Sequence, residues 1–147
     1  MDDRKSADPI VPHCIFGICS DILMWEGVNF MLNPFYIVGF VDGEGCFSIT
    51  MNKNGKRIPE VRLIFEIEVR EDDEEILRDI QLALGCGNIY HLNYAKYAKW
   101  RPHVKYKVSN FHDISSRIIP FFQEYPLKAK KRFQFEKFFK VAEMIKK

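Results

Sequence analysis

A chain of 147 residues, 47% hydrophobic and 29% charged with 13 Phe, suits one domain with a real core and excludes a disordered segment. Its 22 Lys and Arg stand against 20 Asp and Glu, a formal net charge of only +2, so bulk charge points to no partner. No apolar run reaches the roughly 18 residues of a membrane span, and the four Cys (Cys14, Cys19, Cys46, Cys86) and four His (His13, His91, His103, His112) lack zinc-site spacing. The start Met1-Asp2-Asp3 lacks the positive end of a signal peptide, and the acid-poor, Arg-rich character of a transit peptide is missing too. The expectation is an intracellular protein with reduced thiols, organellar if the host is eukaryotic, and no membrane partner.

Residues 1–33 carry Pro9, Pro12, Gly17 and Gly27 with no clear apolar period, and read as an N-terminal extension of unknown role ahead of a domain at 34–147. Asn33-Pro34 predicts a helix start, with Asn as N-cap and Pro in the first turn. Apolar residues follow from Phe35 to Val41, and Gly43-Glu44-Gly45 should stop the helix. Residues 46–52 alternate, with Phe47, Ile49 and Met51 on one side, as in a half-buried strand. Asn54-Gly55 is a hairpin signal. Residues 60–69 alternate again, turning Val61, Leu63, Phe65, Ile67 and Val69 to the core. Asp72 or Asp73 should cap a second helix whose stripe is Ile76, Leu77, Ile80 and Leu84, ended by Gly85. Residues 88–92 and 103–109 form a second strand pair around an aromatic, basic loop (Tyr94, Tyr97, Trp100), with Val104, Tyr106 and Val108 inward. Asn110 and Asp113 open a third helix with Ile114, Ile118 and Phe122. A last helix from about Leu127 carries Phe135, Phe138, Phe139, Ala142 and Ile145. The order αββαββα plus one helix predicts an α+β fold: a curved antiparallel sheet with helices on one face and solvent on the other.

Three features bear on chemistry. In Ile37-Val38-Gly39-Phe40-Val41-Asp42-Gly43-Glu44-Gly45, Gly39 and Gly43 share a helix face, where each glycine costs about 1 kcal/mol against Ala. Close approach of a second helix would offset that cost. Glu44 stands at the negative end of the helix dipole, a placement a divalent cation would reverse. The plain alternative is a buried helix with a glycine cap and a solvated acid. The second feature is the outward sheet face: Ser48, Thr50, Asn52, Arg62, Glu66, Glu68, Tyr90, His103, Lys105 and Lys107. Such a ribbon fits the major groove, and its donors and acceptors can read base edges; the alternative is an ordinary polar surface. The run Tyr90 to Ser109 has no acid, so that face could be strongly positive. The third is Leu127-Lys128-Ala129-Lys130-Lys131-Arg132, either a phosphate-contacting segment or a solvated helix surface.

Ile37 to Gly45 resembles the LAGLIDADG motif, with Glu44 at its second acidic position. The resemblance continues through Glu44-Gly45-Cys46-Phe47, Phe65-Glu66-Ile67 with Asp72 to Leu77, Leu84 to Ile89, and Pro126 to Lys131, covering roughly Asn33 to Lys147. It implies a site-specific homing endonuclease that hydrolyses double-stranded DNA at a long pseudo-palindromic target. An intron RNA maturase and a non-catalytic DNA-binding module are the alternatives on this fold. With one motif copy, the resemblance implies a homodimer through Tyr36, Gly39, Phe40 and Gly43. It implies a divalent cofactor, Mg²⁺ or else Mn²⁺ or Ca²⁺, held by Glu44 and Gly43, and a catalytic lysine best matched by Lys130, with Lys131 next in line. Two further polar positions of the family fall on Val69 and Asp73, departures for which Glu68 or Arg70 could substitute. Strands of about ten residues at 3.3 Å each reach about nine base pairs per subunit, so a dimer's target should be about 20 pairs.

Overall fold

The structure is a computed structural model and describes residues 32–52, 60–92 and 102–146. Residues 1–31 of the extension, the Asn54-Gly55 turn and the loop carrying Tyr94, Tyr97 and Trp100 lie outside the described residues. Helix α1 runs Pro34–Glu44, and the Asn33 side chain caps it by accepting from the Phe35 N–H at 2.9 Å. The chain passes straight into strand β1 (Gly45–Asn52), then β2 (Glu60–Arg70), helix α2 (Glu74–Leu84), β3 (Asn88–Leu92) and β4 (His103–Val108). Helix α3 (Phe111–Asp113) continues through a π-helical turn, Ile114–Ile118, into α4 (Ile119–Glu124), and α5 spans Lys131–Lys146.

The four strands form one antiparallel sheet in the order β1-β2-β4-β3. Period-two alternation sends Phe47, Leu63, Phe65, Ile67, Val69, Val104, Tyr106 and Val108 to one face, all buried, where the helices cover them. The helices bring Ile37, Val38, Val41, Leu77, Ile80, Leu84, Ile114, Ile118, Phe122, Phe135, Phe138 and Ala142. Phe47 centres an aromatic cluster, with ring centroids 4.9 Å from Phe65, 5.4 Å from Phe122 and 5.3 Å from Phe135. The helical layer stops short of the distal end of the β1–β2 hairpin. There Ile49, Met51 and Val61, on the core side by parity, are 40%, 64% and 37% exposed.

Four boundaries differ from the sequence reading. Asp73 makes no side-chain cap, because a 3-10 turn, Glu71–Asp73, precedes α2 and Asp72 instead pairs with Arg70. The third helix is not uniform. Pro120 has no N–H for the α-type bond to Ser116, and the Ile119 N–H reaches back to the Ile114 carbonyl, a π-type bond. Gly45 does not adopt the left-handed cap conformation; its φ is −71°. It is there for space, since a Cβ would lie 2.6 Å from Val41 Cγ1 and 2.8 Å from the Val41 carbonyl oxygen. Finally, α5 begins at Lys131 rather than near Leu127. Residues 126–130 form a separate lead-in whose anchor is on α1, described next.

Candidate active site and nucleic-acid interface

Glu44 is the last residue of α1, exposed, and its side chain makes no hydrogen bond or ion pair among the described residues. The last turn of α1 has no basic residue, so nothing on the helix itself neutralises this carboxylate at the negative end of the dipole. A cation from α5 instead reaches the backbone carbonyls of this helix end. Lys131 Nζ donates to the Gly43 carbonyl at 2.7 Å and to the Asp42 carbonyl at 3.4 Å. Lys130, one residue earlier, is exposed and does not reach the end of α1. Of the two lysines, Lys131 is the one bonded to the end of α1.

Asp42 explains why. Its Oδ2 accepts the backbone N–H groups of Lys128 at 2.8 Å and Ala129 at 3.1 Å. These donors precede the first turn of α5, where Arg132 N–H bonds the Ala129 carbonyl and Phe133 N–H the Lys130 carbonyl. Asp42 thus clasps the lead-in to α5 from another helix. The clasp fixes where the chain enters α5 and so which lysine meets Gly43. Sequence reasoning left Asp42 without a role. Its only signal was a second acid two residues before Glu44.

The outer sheet face assembles the expected polar residues in rows. Register pairs Thr50 with Arg62, Ser48 with Ile64 and Cys46 with Glu66 across β1 and β2. It pairs Glu66 with Lys107, Glu68 with Lys105 and Arg70 with His103 across β2 and β4. Asn88 and Tyr90 of β3 extend the rows of Lys107 and Lys105. Asn52 closes β1 opposite Glu60. Arg70, named from the sequence only as a substitute support residue, shares this face by parity, as do Asn88 and Cys46, which the sequence reading did not place there. The face is mixed rather than strongly positive, because Glu60, Glu66 and Glu68 stand among Arg62, Arg70, Lys105 and Lys107. Arg62 pairs with Glu60 at 3.2 Å, and Lys105 Nζ lies 3.0 Å from Glu68 and 3.5 Å from Glu66. Burial opposes the Lys105 charge, but the two carboxylates outweigh it and hold the ammonium above the usual lysine range.

Of the positions where the family pattern departs, Val69 is buried in the core and belongs to the opposite face from these polar groups. Asp73 is exposed at the head of α2. Among the substitutes considered, Glu68 is held by Lys105 and Arg70 by Asp72. The remaining face of α1 carries Tyr36, Gly39, Phe40 and Gly43, spaced i, i+3, i+4, i+7. Tyr36 is 50% exposed and stacks on Phe40 with centroids 6.2 Å apart. A Cβ at Gly39 or Gly43 would meet nothing within 4 Å.

This fold and motif helix define a class, and the chain belongs to it: the LAGLIDADG endonuclease family, whose profile matches residues 37–142. A curated relative, probable intron-encoded endonuclease 3 of Neurospora crassa, is 34% identical over 100 residues, covering 67% of this chain and 18% of the relative. The chain thus spans about a fifth of that protein's length. The fold also matches the meganuclease I-SmaMI bound to uncleaveable DNA, with a TM-score of 0.71 and 29% identity over 80% of this chain and 39% of that one. Another I-SmaMI structure, at 28% identity, holds an uncleaved DNA target in the presence of calcium ions. The homing endonuclease I-TnaI matches with a TM-score of 0.69 and 28% identity, covering 78% of this chain and 74% of that one.

Proposed function

We propose that this chain is a site-specific, divalent-metal-dependent double-strand DNA endonuclease that works as a homodimer through α1. The observation that carries the reading is Glu44: an exposed carboxylate at the end of the motif helix, unpartnered among the described residues, with Lys131 of α5 bonded to the carbonyl of the adjacent Gly43. Glu44 fits a hard divalent cation such as Mg²⁺, Mn²⁺ or Ca²⁺ as an oxygen donor. The Gly43 carbonyl already accepts Lys131, so it can serve an ion only through its second lone pair or after Lys131 moves away. Among the described residues no three His, Cys, Asp or Glu side chains gather into a metal site, so scissile phosphate and a second chain would supply the remaining ligands. The metal, when bound, supplies activation of water and stabilisation of the leaving oxygen.

The chain's own residues do the rest. Lys131 offsets charge that develops on the phosphate. Asp42 positions Lys131. The outer face, including Ser48, Thr50, Asn52, Arg62, Tyr90 and His103, lies in the major groove and sets the duplex in register. The exposed stripe Tyr36, Gly39, Phe40, Gly43 packs on its symmetry mate, a self-complementary contact that places two Glu44 carboxylates near one dyad. Intron RNA is the alternative partner, but RNA binding alone gives no use to an exposed Glu44. The relative's intron-encoded designation supports expression inside the cell, in the organelle that carries the intron if the host is eukaryotic. No helix among the described residues is long and apolar enough to cross a membrane.

The test is incubation with a randomised duplex library and Mg²⁺, followed by sequencing of cut ends. The reading expects one long, roughly two-fold symmetric consensus around the cuts. Absence of any cut with Mg²⁺ or Mn²⁺, while the protein remains folded, would overturn it.

A further inference from the structure

Among the described residues, Lys105 is the lysine of the outer face flanked by carboxylates on both sides. Its Nζ lies 3.0 Å from Glu68 and 3.5 Å from Glu66, and all three side chains are about a quarter to a third exposed. A phosphate approaching this group meets two carboxylates for one ammonium, so its own charge is repelled. A neutral base edge meets no such barrier. It meets a donor beside an acceptor at hydrogen-bond spacing. That is the complement of a G·C edge in the major groove, where guanine O6 accepts beside cytosine N4, which donates. Guanine offers N7 as a second acceptor for the same ammonium. A T·A pair also sets an acceptor, thymine O4, beside a donor, adenine N6, but it puts the thymine methyl where guanine offers N7 to the ammonium, and adenine N7, an acceptor, on the side of the carboxylate.

Resting on the DNA reading above, we infer that Lys105 and Glu68, braced by Glu66, form a specificity element that selects one G·C pair in each half-site, with Lys105 on guanine and Glu68 on cytosine. The register locates that pair. Gly45 of β1 faces Ile67, and the next step outward falls on Glu68 in β2 and on Glu44, the last residue of α1. Lys105 and Tyr90 continue the Glu68 row across β4 and β3. The selected pair therefore lies close to the cut. Lys107 provides the contrast: it faces Glu66 and Asn88 in register but makes no ion pair among the described residues, so it remains available to phosphate.

The test is binding selection from a randomised duplex library with Ca²⁺ present, using the full chain, so that cleavage is not required. Wild type should enrich G·C at one position per half-site within a few pairs of the centre. Lys105→Met should relax preference there by roughly five- to a hundredfold, the range expected for one good base contact, with the salt slope of binding unchanged. Glu68→Gln should relax the same position, Lys105→Arg should keep it, and Lys107→Met should lower the salt slope by about one without altering preference. Thermal melting establishes that each variant folds. If Lys105→Met weakens binding evenly across sequences and flattens the salt slope, Lys105 is a phosphate contact and the inference falls. Unaltered preference in both Lys105→Met and Glu68→Gln overturns it as well, while leaving the endonuclease reading intact. A wild-type protein that enriches no sequence overturns both.

Discussion

Asp42 accepts two amides through Oδ2, while its Oδ1 is buried without a hydrogen-bond partner among the described residues. Its gain is that of two hydrogen bonds to a charged acceptor, offset in part by the orphaned oxygen. Asp42→Ala should therefore lower unfolding stability by about 1 kcal/mol in urea titrations. It should lower cleavage by far more than that loss of stability explains, because Lys131 is no longer held at Gly43. Wild-type cleavage by the folded variant would deny Asp42 its positioning role. The two described thiols should separate by environment. Cys46 is exposed on the sheet face, whereas burial pushes the Cys86 thiol up, only partly opposed by the Tyr106 hydroxyl. At pH 8, iodoacetamide should label Cys46 well before Cys86, as peptide mass spectrometry would read. Equal rates would contradict the burial of Cys86. These residue-level features were only half visible beforehand. Glu44 stood out because glycines flank it, but the choice between Lys130 and Lys131 depends on a bond from Asp42 to an amide 86 residues away, which no local pattern encodes.

Helix α1 is apolar all round, with Ile37, Val38 and Val41 in the core and Phe35 and Tyr36 still 65% and 50% exposed. An apolar helix with an uncovered face points to a partner for that face. The glycines make this testable in sign. Gly39→Ala has open space in the single chain, so it should raise helix stability by about 0.5–1 kcal/mol while weakening self-association. Sedimentation and melting at low concentration would show the two effects moving in opposite directions; unchanged association would remove α1 from the interface. Gly45→Ala differs, because its Cβ meets Val41 side chain and backbone, and it should cost roughly 1–3 kcal/mol in the monomer. At this scale the strands were readable because alternation directly reports a sheet with one covered face, and every expected inward residue of β4 is buried. The ends of elements were less so. A 3-10 turn before α2, the π turn forced by Pro120 and the lead-in to α5 are each settled by hydrogen-bond competition rather than by hydrophobic period.

The described residues present one face of helices, one sheet face without helices and one helix stripe with exposed aromatics, and in the proposed dimer each has a single use. Strand β2, with 11 residues, reaches about 35 Å at 3.3 Å per residue, or about ten base pairs. Two subunits therefore predict a footprint of about 20 pairs with cuts a few pairs from the centre. Protection of only six or eight pairs would contradict a sheet laid in the groove. The claim on which the account turns is that each chain contributes one Glu44 to cut one strand. It is tested by the products formed on a supercoiled plasmid carrying the selected site. Wild type should linearise it, and Glu44→Gln should bind it without cutting. Dimers of one wild-type and one Glu44→Gln subunit, purified through two different affinity tags, should yield nicked circles. Linear product from Glu44→Gln alone, or from the mixed dimer at the wild-type rate, would contradict the assignment of one Glu44 to each strand.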